Sequence, residues 1–159
     1  MHIRKACQSD TSFIGAVGRV FYPSPLHETG GESTIKGIVA CNQSWVSVVD
    51  KEVVGFVLVS SPTTPFSLVD GSRIQGAHLF IHDLCVAPAH RACGIGKALA
   101  QRALSLSEGY ASVSLVSLEG AVWFWVQFGF GPSKLVATWN YQAEYGEGAM
   151  LMTKLIHTE

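Results

Sequence analysis

Apolar side chains recur along this chain with two periods, one strand-like and one helical, and the switches between them predict an alternating series of elements. HIRKA at the start suits a short strand. Asp10 reads as an N-cap for an amphipathic helix with Phe13, Ile14, Val17 and Phe21 on one face, ended by Tyr22-Pro23-Ser24-Pro25. A second helix is expected from about Glu32 to Cys41, with Ile35, Ile38 and Val39 inward. Trp45–Val49 and Val53–Ser60 are β-rich and flank Asp50-Lys51-Glu52, which reads as a hairpin turn. Ser61–Ser72 should be a surface loop. Gln75–Val86 contains the strand AHLFIHDLCV, ended by Ala87-Pro88. A helix follows from about Gly94 to Glu108, with Ile95, Leu99, Ala103 and Leu106 buried and Gly109 placed to close it. Ser112–Ser117 is a strand and Glu119–Phe128 a short helix. Strands near Ser133–Trp139 and Ala149–Ile156 finish the chain, with a polar loop between them. The predicted order is β-α-α-β-β-β-α-β-α-β-β.

Composition narrows what such a fold is for. With 159 residues the chain is expected to be one domain, and 48% apolar against 14% charged residues supplies a core. Eleven basic and twelve acidic side chains nearly cancel, which argues against nucleic acid as a partner. No apolar run is long enough for a membrane span, and MHIRKACQSD turns polar too soon for a secretory signal, so a cytoplasmic location is expected. Cys7, Cys41, Cys85 and Cys93 match no zinc or redox spacing and read as thiols in a reducing compartment. His78 and His82 on one strand would have Cα atoms about 13 Å apart, too far to share an ion unaided, so no metal is expected.

HRACGIGKAL, residues 90–99, carries the chemistry. A P-loop would need glycine where Arg91 stands and Ser or Thr where Ala98 stands. A dinucleotide fingerprint would need a third glycine where Leu99 stands. R-x-x-G-x-G remains, between a strand closed by proline and a helix start. Helix-start N–H groups lack intrahelical partners, glycines let an anion approach them, and Arg91 adds a charge-assisted contact. Read alone, the motif is equally compatible with a glycine turn beside a solvated arginine.

The stretch LCVAPAHRACGIGKALAQRAL, with AVWFWVQFGF further on, closely resembles the Gcn5-related N-acetyltransferase (GNAT) superfamily. Its motifs there are a strand L-x-V-x-P, then R-x-x-G-x-G and a helix, and a later helix ending in aromatic-x-x-x-G-F. The resemblance covers residues 78–130 well and the remainder by element order. It implies an α/β (α+β) fold, one GNAT-like domain over residues 1–159. A central mixed, mostly antiparallel twisted sheet of about seven strands would be flanked by about four helices.

The resemblance also implies a reaction. Members acylate an amine by direct attack on acetyl-CoA or another acyl-CoA, here a small-molecule amine, without a metal. The pyrophosphate would lie on Arg91, Ala92, Cys93, Gly94, Ile95, Gly96 and Lys97. The pantetheine arm would pair with Leu84, Cys85 and Val86, where a backbone amide would polarise the thioester carbonyl. In some small-amine acetyltransferases a glutamate or histidine stands four residues before the valine of that strand. Here it is His82, a candidate general base whose unperturbed pKa suits neutral pH. A purely structural histidine is the competing reading, and Asp83 is given a structural or orienting role. Where the family often places a tyrosine to protonate the leaving thiolate, this chain has Trp125, beside Phe124. Indole N–H donates a hydrogen bond but does not give up its proton, and Ala121, Phe124, Trp125 and Phe128 form a packing stripe. Water, Tyr141 or Tyr145 would then supply the proton. A non-catalytic acyl-CoA-binding domain, a protein N-terminal or lysine acetyltransferase, and a homodimeric assembly stay open. Acceptor-side residues are expected in the segments 22–31, 61–72 and 140–148.

Overall fold

The computed structural model describes residues 1–21, 32–62, 76–135, 137 and 140–156. The acceptor-side segment 22–31, most of the 61–72 loop and part of the strand expected at 133–139 lie outside these residues. The strands are β1 (His2–Lys5), β2 (Trp45–Val49), β3 (Glu52–Ser60), β4 (His78–Val86), β5 (Ser112–Ser117), β6 (Gly131–Pro132) and β7 (Met150–Leu155). The helices are α1 (Thr11–Phe21), α2 (Glu32–Ala40), α3 (Ile95–Ser105), α4 (Val122–Val126) and α5 (Tyr141–Tyr145). The seven strands form one mixed sheet in the order β1-β2-β3-β4-β5-β7-β6. By its contacts the chain divides into two compact units, Met1–Ser60 with Ile81–Leu106, and Ser61–Phe80 with Ser107–Glu159.

In the first unit the hairpin closes through a two-residue turn, with Asp50 and Lys51 both at positive φ (48° and 67°). That geometry matches the right-handed twist of the flanking strands. β3 is buried almost throughout, as a strand covered on both faces must be. Phe56 and Leu58 join Ile14 of α1 and Ile35, Ile38 and Val39 of α2 in one apolar cluster. Gly55 of β3 is closely surrounded by β2, β4 and α3. A Cβ there would stand 3.0 Å from the Cys85 carbonyl oxygen, 3.2 Å from Ser47 Oγ and 3.3 Å from Leu99 Cδ1.

Asp10 does not cap α1 as expected. It ends a 3-10 turn, Gln8–Asp10, and its carboxylate turns back to accept from the Cys7 backbone N–H at 2.8 Å. Arg4 holds both carboxylate oxygens, at 2.8 and 3.0 Å. Periodicity located the helix start, but the carboxylate found a stronger, charged partner on β1. Gly109 is a second correction: α3 ends at Ser105, and Gly109 instead serves a separate turn in which the Tyr110 N–H bonds the Ser107 carbonyl.

In the second unit the starts of β4 and β5 run parallel. The Ala111 N–H donates to the Ala77 carbonyl at 2.7 Å, and His78 Nδ1 bonds Ser112 Oγ at 2.7 Å one residue further along each strand. β5 is buried along its whole length and pairs antiparallel with β7. Its serines are paired inside: Ser114 Oγ bonds Thr153 Oγ1 at 2.8 Å, and Ser133 Oγ bonds the same hydroxyl at 2.7 Å. The loop expected at 140–148 contains α5, capped by the Asn140 side chain accepting from the Ala143 N–H.

Gly55→Ala should destabilise by about 1–2 kcal/mol, because a backbone oxygen cannot retreat without disturbing the strand pair. Calorimetry should show a Tm lower by several degrees, and an unchanged Tm would mean that β3 and β4 separate freely. Asp10 predicts an acid-sensitive component. The hydrogen bond from Arg4 holds its carboxyl below the usual carboxylate range, against desolvation, which acts the other way. A depressed folded pKa contributes stability above the unfolded pKa that is lost as pH falls through the folded value. Asp10→Asn should therefore be less stable by about 1–2 kcal/mol at neutral pH, with a flatter decline on acidification than the parent. Denaturant unfolding from pH 7 down to pH 2 would read both effects.

Candidate active site

His82 is half-buried on β4, and its Nε2 shares a hydrogen bond of 2.6 Å with Ser60 Oγ at the end of β3. At the other end of the same strand pair the Ala87 N–H donates to the Val54 carbonyl at 2.7 Å. Along β4 the half-buried His82, Leu84 and Val86 alternate regularly with the buried Ile81, Asp83 and Cys85, and the Cys85 side chain joins the cluster of α1 and α2. Asp83 is buried.

Beyond β4 the chain makes a 3-10 turn, Pro88–His90, and enters the glycine stretch. Arg91 is exposed and its Nε donates to the Val86 carbonyl at 3.3 Å, so the guanidinium stem lies back over the strand end. Ala92 (φ 60°) and Gly94 (φ 79°) are both left-handed. Such a turn gathers backbone N–H groups into a concavity that attracts anions. Gly94 is the N-cap of α3; no side chain caps the helix, and the first intrahelical bond runs from the Ala98 N–H to the Gly94 carbonyl. The N–H groups of Ile95, Gly96 and Lys97 thus lie in the first turn, where the helix offers no carbonyl to meet them. Ala92, Cys93, Gly94 and Lys97 are exposed and Gly96 half-buried, while Ile95 is buried as the helix anchor.

Phe124 and Trp125 belong to the second unit. Trp125 is 6% exposed, with the rings of Phe124 and Phe130 edge-on at 4.9 and 5.6 Å. The end of α4 explains the G-F pair of the motif. The Gly129 N–H bonds the Val126 carbonyl and the Phe130 N–H bonds the Trp125 carbonyl, with Gly129 at φ 90°. This is a Schellman C-cap: glycine takes the left-handed position, and the next residue folds back to make an apolar contact with the helix. Lys154 Nζ satisfies the Phe128 carbonyl at 2.8 Å. Tyr141 and Tyr145 pack against Phe80, Val116, Leu135, Ala149 and Leu151.

His78 and His82 bond separate serines, and among the described residues no group of three or more His, Cys, Asp or Glu side chains could hold a metal ion. No described helix is long and apolar enough to cross a membrane. Ser60 was missed by sequence reasoning. A serine at the end of a strand carries no signal of its own, and the intervening loop leaves the β3–β4 register unreadable.

Against protein-family models, residues 19–130 match the acetyltransferase (GNAT) family. The chain belongs to that family. Nothing matches among curated protein sequences. Solved structures similar to this GNAT chain include Naa50 of Arabidopsis thaliana in complex with the bisubstrate analogue CoA-Ac-MVNAL. It is 16% identical, covers 96% of this chain and 97% of that one, and has a TM-score of 0.73. Rv2747 of Mycobacterium tuberculosis, in complex with CoA and NLQ, is 17% identical over 99% and 100% of the two chains, with a TM-score of 0.71. A GNAT family acetyltransferase of Brucella melitensis in complex with acetyl-CoA is 20% identical over 99% and 89%, with a TM-score of 0.64. At these identities the likeness is one of fold.

Packing dominates the setting of Trp125 in this GNAT chain. Trp125→Ala should cost about 3–5 kcal/mol. Trp125→Phe should cost much less, and Trp125→Tyr should not create a faster enzyme unless the new hydroxyl escapes the ring cluster. Thermal melts of the three variants check the ranking.

Proposed function

We propose that this chain transfers the acetyl group of acetyl-CoA to a primary amine of a small molecule by direct attack. The observation that carries the reading is that one unit holds His82 on β4 and, past the end of that strand, an uncapped helix start preceded by two left-handed residues. The pyrophosphate of CoA would rest on the N–H groups of Ala92–Lys97, with Arg91 adding charge-assisted contacts and the dipole of α3 adding positive potential. The backbone of Leu84, Cys85 and Val86 would receive the pantetheine arm and polarise the thioester carbonyl. Phe124 and Trp125 would line the thiol end of the cofactor.

The step balances without a metal. The amine nitrogen attacks the thioester carbon, its proton passes to His82, the tetrahedral intermediate collapses, and the C–S bond breaks to leave an amide and CoA thiolate. The thiolate takes its proton from water or a tyrosine, because the indole at position 125 is not an acid. A peptide N-terminus is the second acceptor class, favoured by the likeness to Naa50 bound to a peptide-bearing bisubstrate analogue.

Thiol release should be measured with spermidine, tyramine and short peptides with free N-termini as acceptors. His82→Ala should lower kcat by roughly a hundredfold or more while leaving CoA affinity unchanged. Arg91→Ala should weaken CoA binding by about tenfold, the loss of one charge-assisted contact. Normal CoA affinity with no thiol release from any acceptor between pH 6 and 9 would instead identify a non-catalytic acyl-CoA-binding domain.

A further inference from the structure

We infer that Ser60 is the positioning residue of His82, an assignment that rests on the acetyl-transfer reading above. The side chains meet at 2.6 Å, both half-buried, across the β3–β4 strand pair. A base must present one chosen ring nitrogen to its substrate, so both the rotation of the ring and its tautomer matter. A bond at Nε2 fixes both.

With Nε2 engaged by Ser60, the nitrogen that takes the amine proton is Nδ1, and Nε2–H donates to the Ser60 oxygen. Nε2 carries its hydrogen before and after the transfer, so the ring keeps one orientation and one hydrogen bond throughout. An alanine at 60 removes the anchor, whereas a threonine keeps the oxygen on Cβ and is at home at the end of a strand.

The experiment compares wild type, Ser60→Ala, Ser60→Thr and His82→Ala as full-length protein. Nitrogen-15 shifts of the His82 ring should show one tautomer in wild type and Ser60→Thr, and a mixture in Ser60→Ala. With tyramine, spermidine or a short peptide as acceptor, Ser60→Ala should lose about tenfold in kcat with the KM for acetyl-CoA unchanged, and Ser60→Thr should restore it. Loss of activity in His82→Ala with wild-type tautomer and rate in Ser60→Ala overturns the role of Ser60 alone. Full activity in His82→Ala overturns the base itself, and the positioning role with it. A slowed Ser60→Ala that Ser60→Thr fails to rescue, accompanied by a matching fall in Tm, would mark Ser60 as merely structural and overturn the assignment.

Discussion

The approach of β3 to β4 sets the position of every candidate reactive group in the first unit. At one end the Val54 carbonyl takes the Ala87 N–H, which fixes where β4 stops and the 3-10 turn toward Arg91 begins. One residue along, the pair is tight at Gly55, where a Cβ would stand 3.0 Å from the Cys85 carbonyl oxygen. At the far end Ser60 bonds His82. One backbone constraint thus links the start of the glycine loop, the segment Leu84–Val86 and the imidazole. Loops can vary in composition around such a frame, but the frame itself cannot slip without moving all three.

The second unit solves a different problem. β5 is buried on both faces yet carries three serines, and their hydroxyls bond inward to His78, to Thr153 and to the Leu118 carbonyl. Polar groups in such a place must be paired, or each would cost about 1–3 kcal/mol. The aromatic helix α4 is only five residues long, too short to persist by its own hydrogen bonds. Its Schellman cap, the Lys154 contact and the ring cluster hold it. The aromatic-x-x-x-G-F pattern is therefore a folding device before it is a cofactor contact. That accounts for a tryptophan at 125: the position asks for a large ring, and the hydroxyl of a tyrosine is a separate requirement.

The strands and helices of the sheet were mostly legible because each buries a periodic face that propensity supports. Ile35, Ile38 and Val39 point inward as their spacing predicts, and the Asp50-Lys51 turn joins the strands expected of it. The errors fall where a side chain had two physical options. Asp10 could cap a helix or bind Arg4, and the charged bond on β1 won. Gly109 could close α3 or shape the next turn, and the helix unwound first. The short α5 escaped because five residues offer a single i, i+4 pair, Tyr141 and Tyr145, too little to read as a helical period, although Asn140 supplied its cap.

By itself the sequence determined the family, through glycine and proline at places where backbone conformation allows little else. It also determined the helix start, because the absence of side chains at 94 and 96 and the charge at 91 are local facts. The tertiary structure alone decided which nitrogen of His82 is held, and by what, since Ser60 is near only in space. It alone turned Trp125 into a packed ring, because burial belongs to the assembled core and to no residue in isolation.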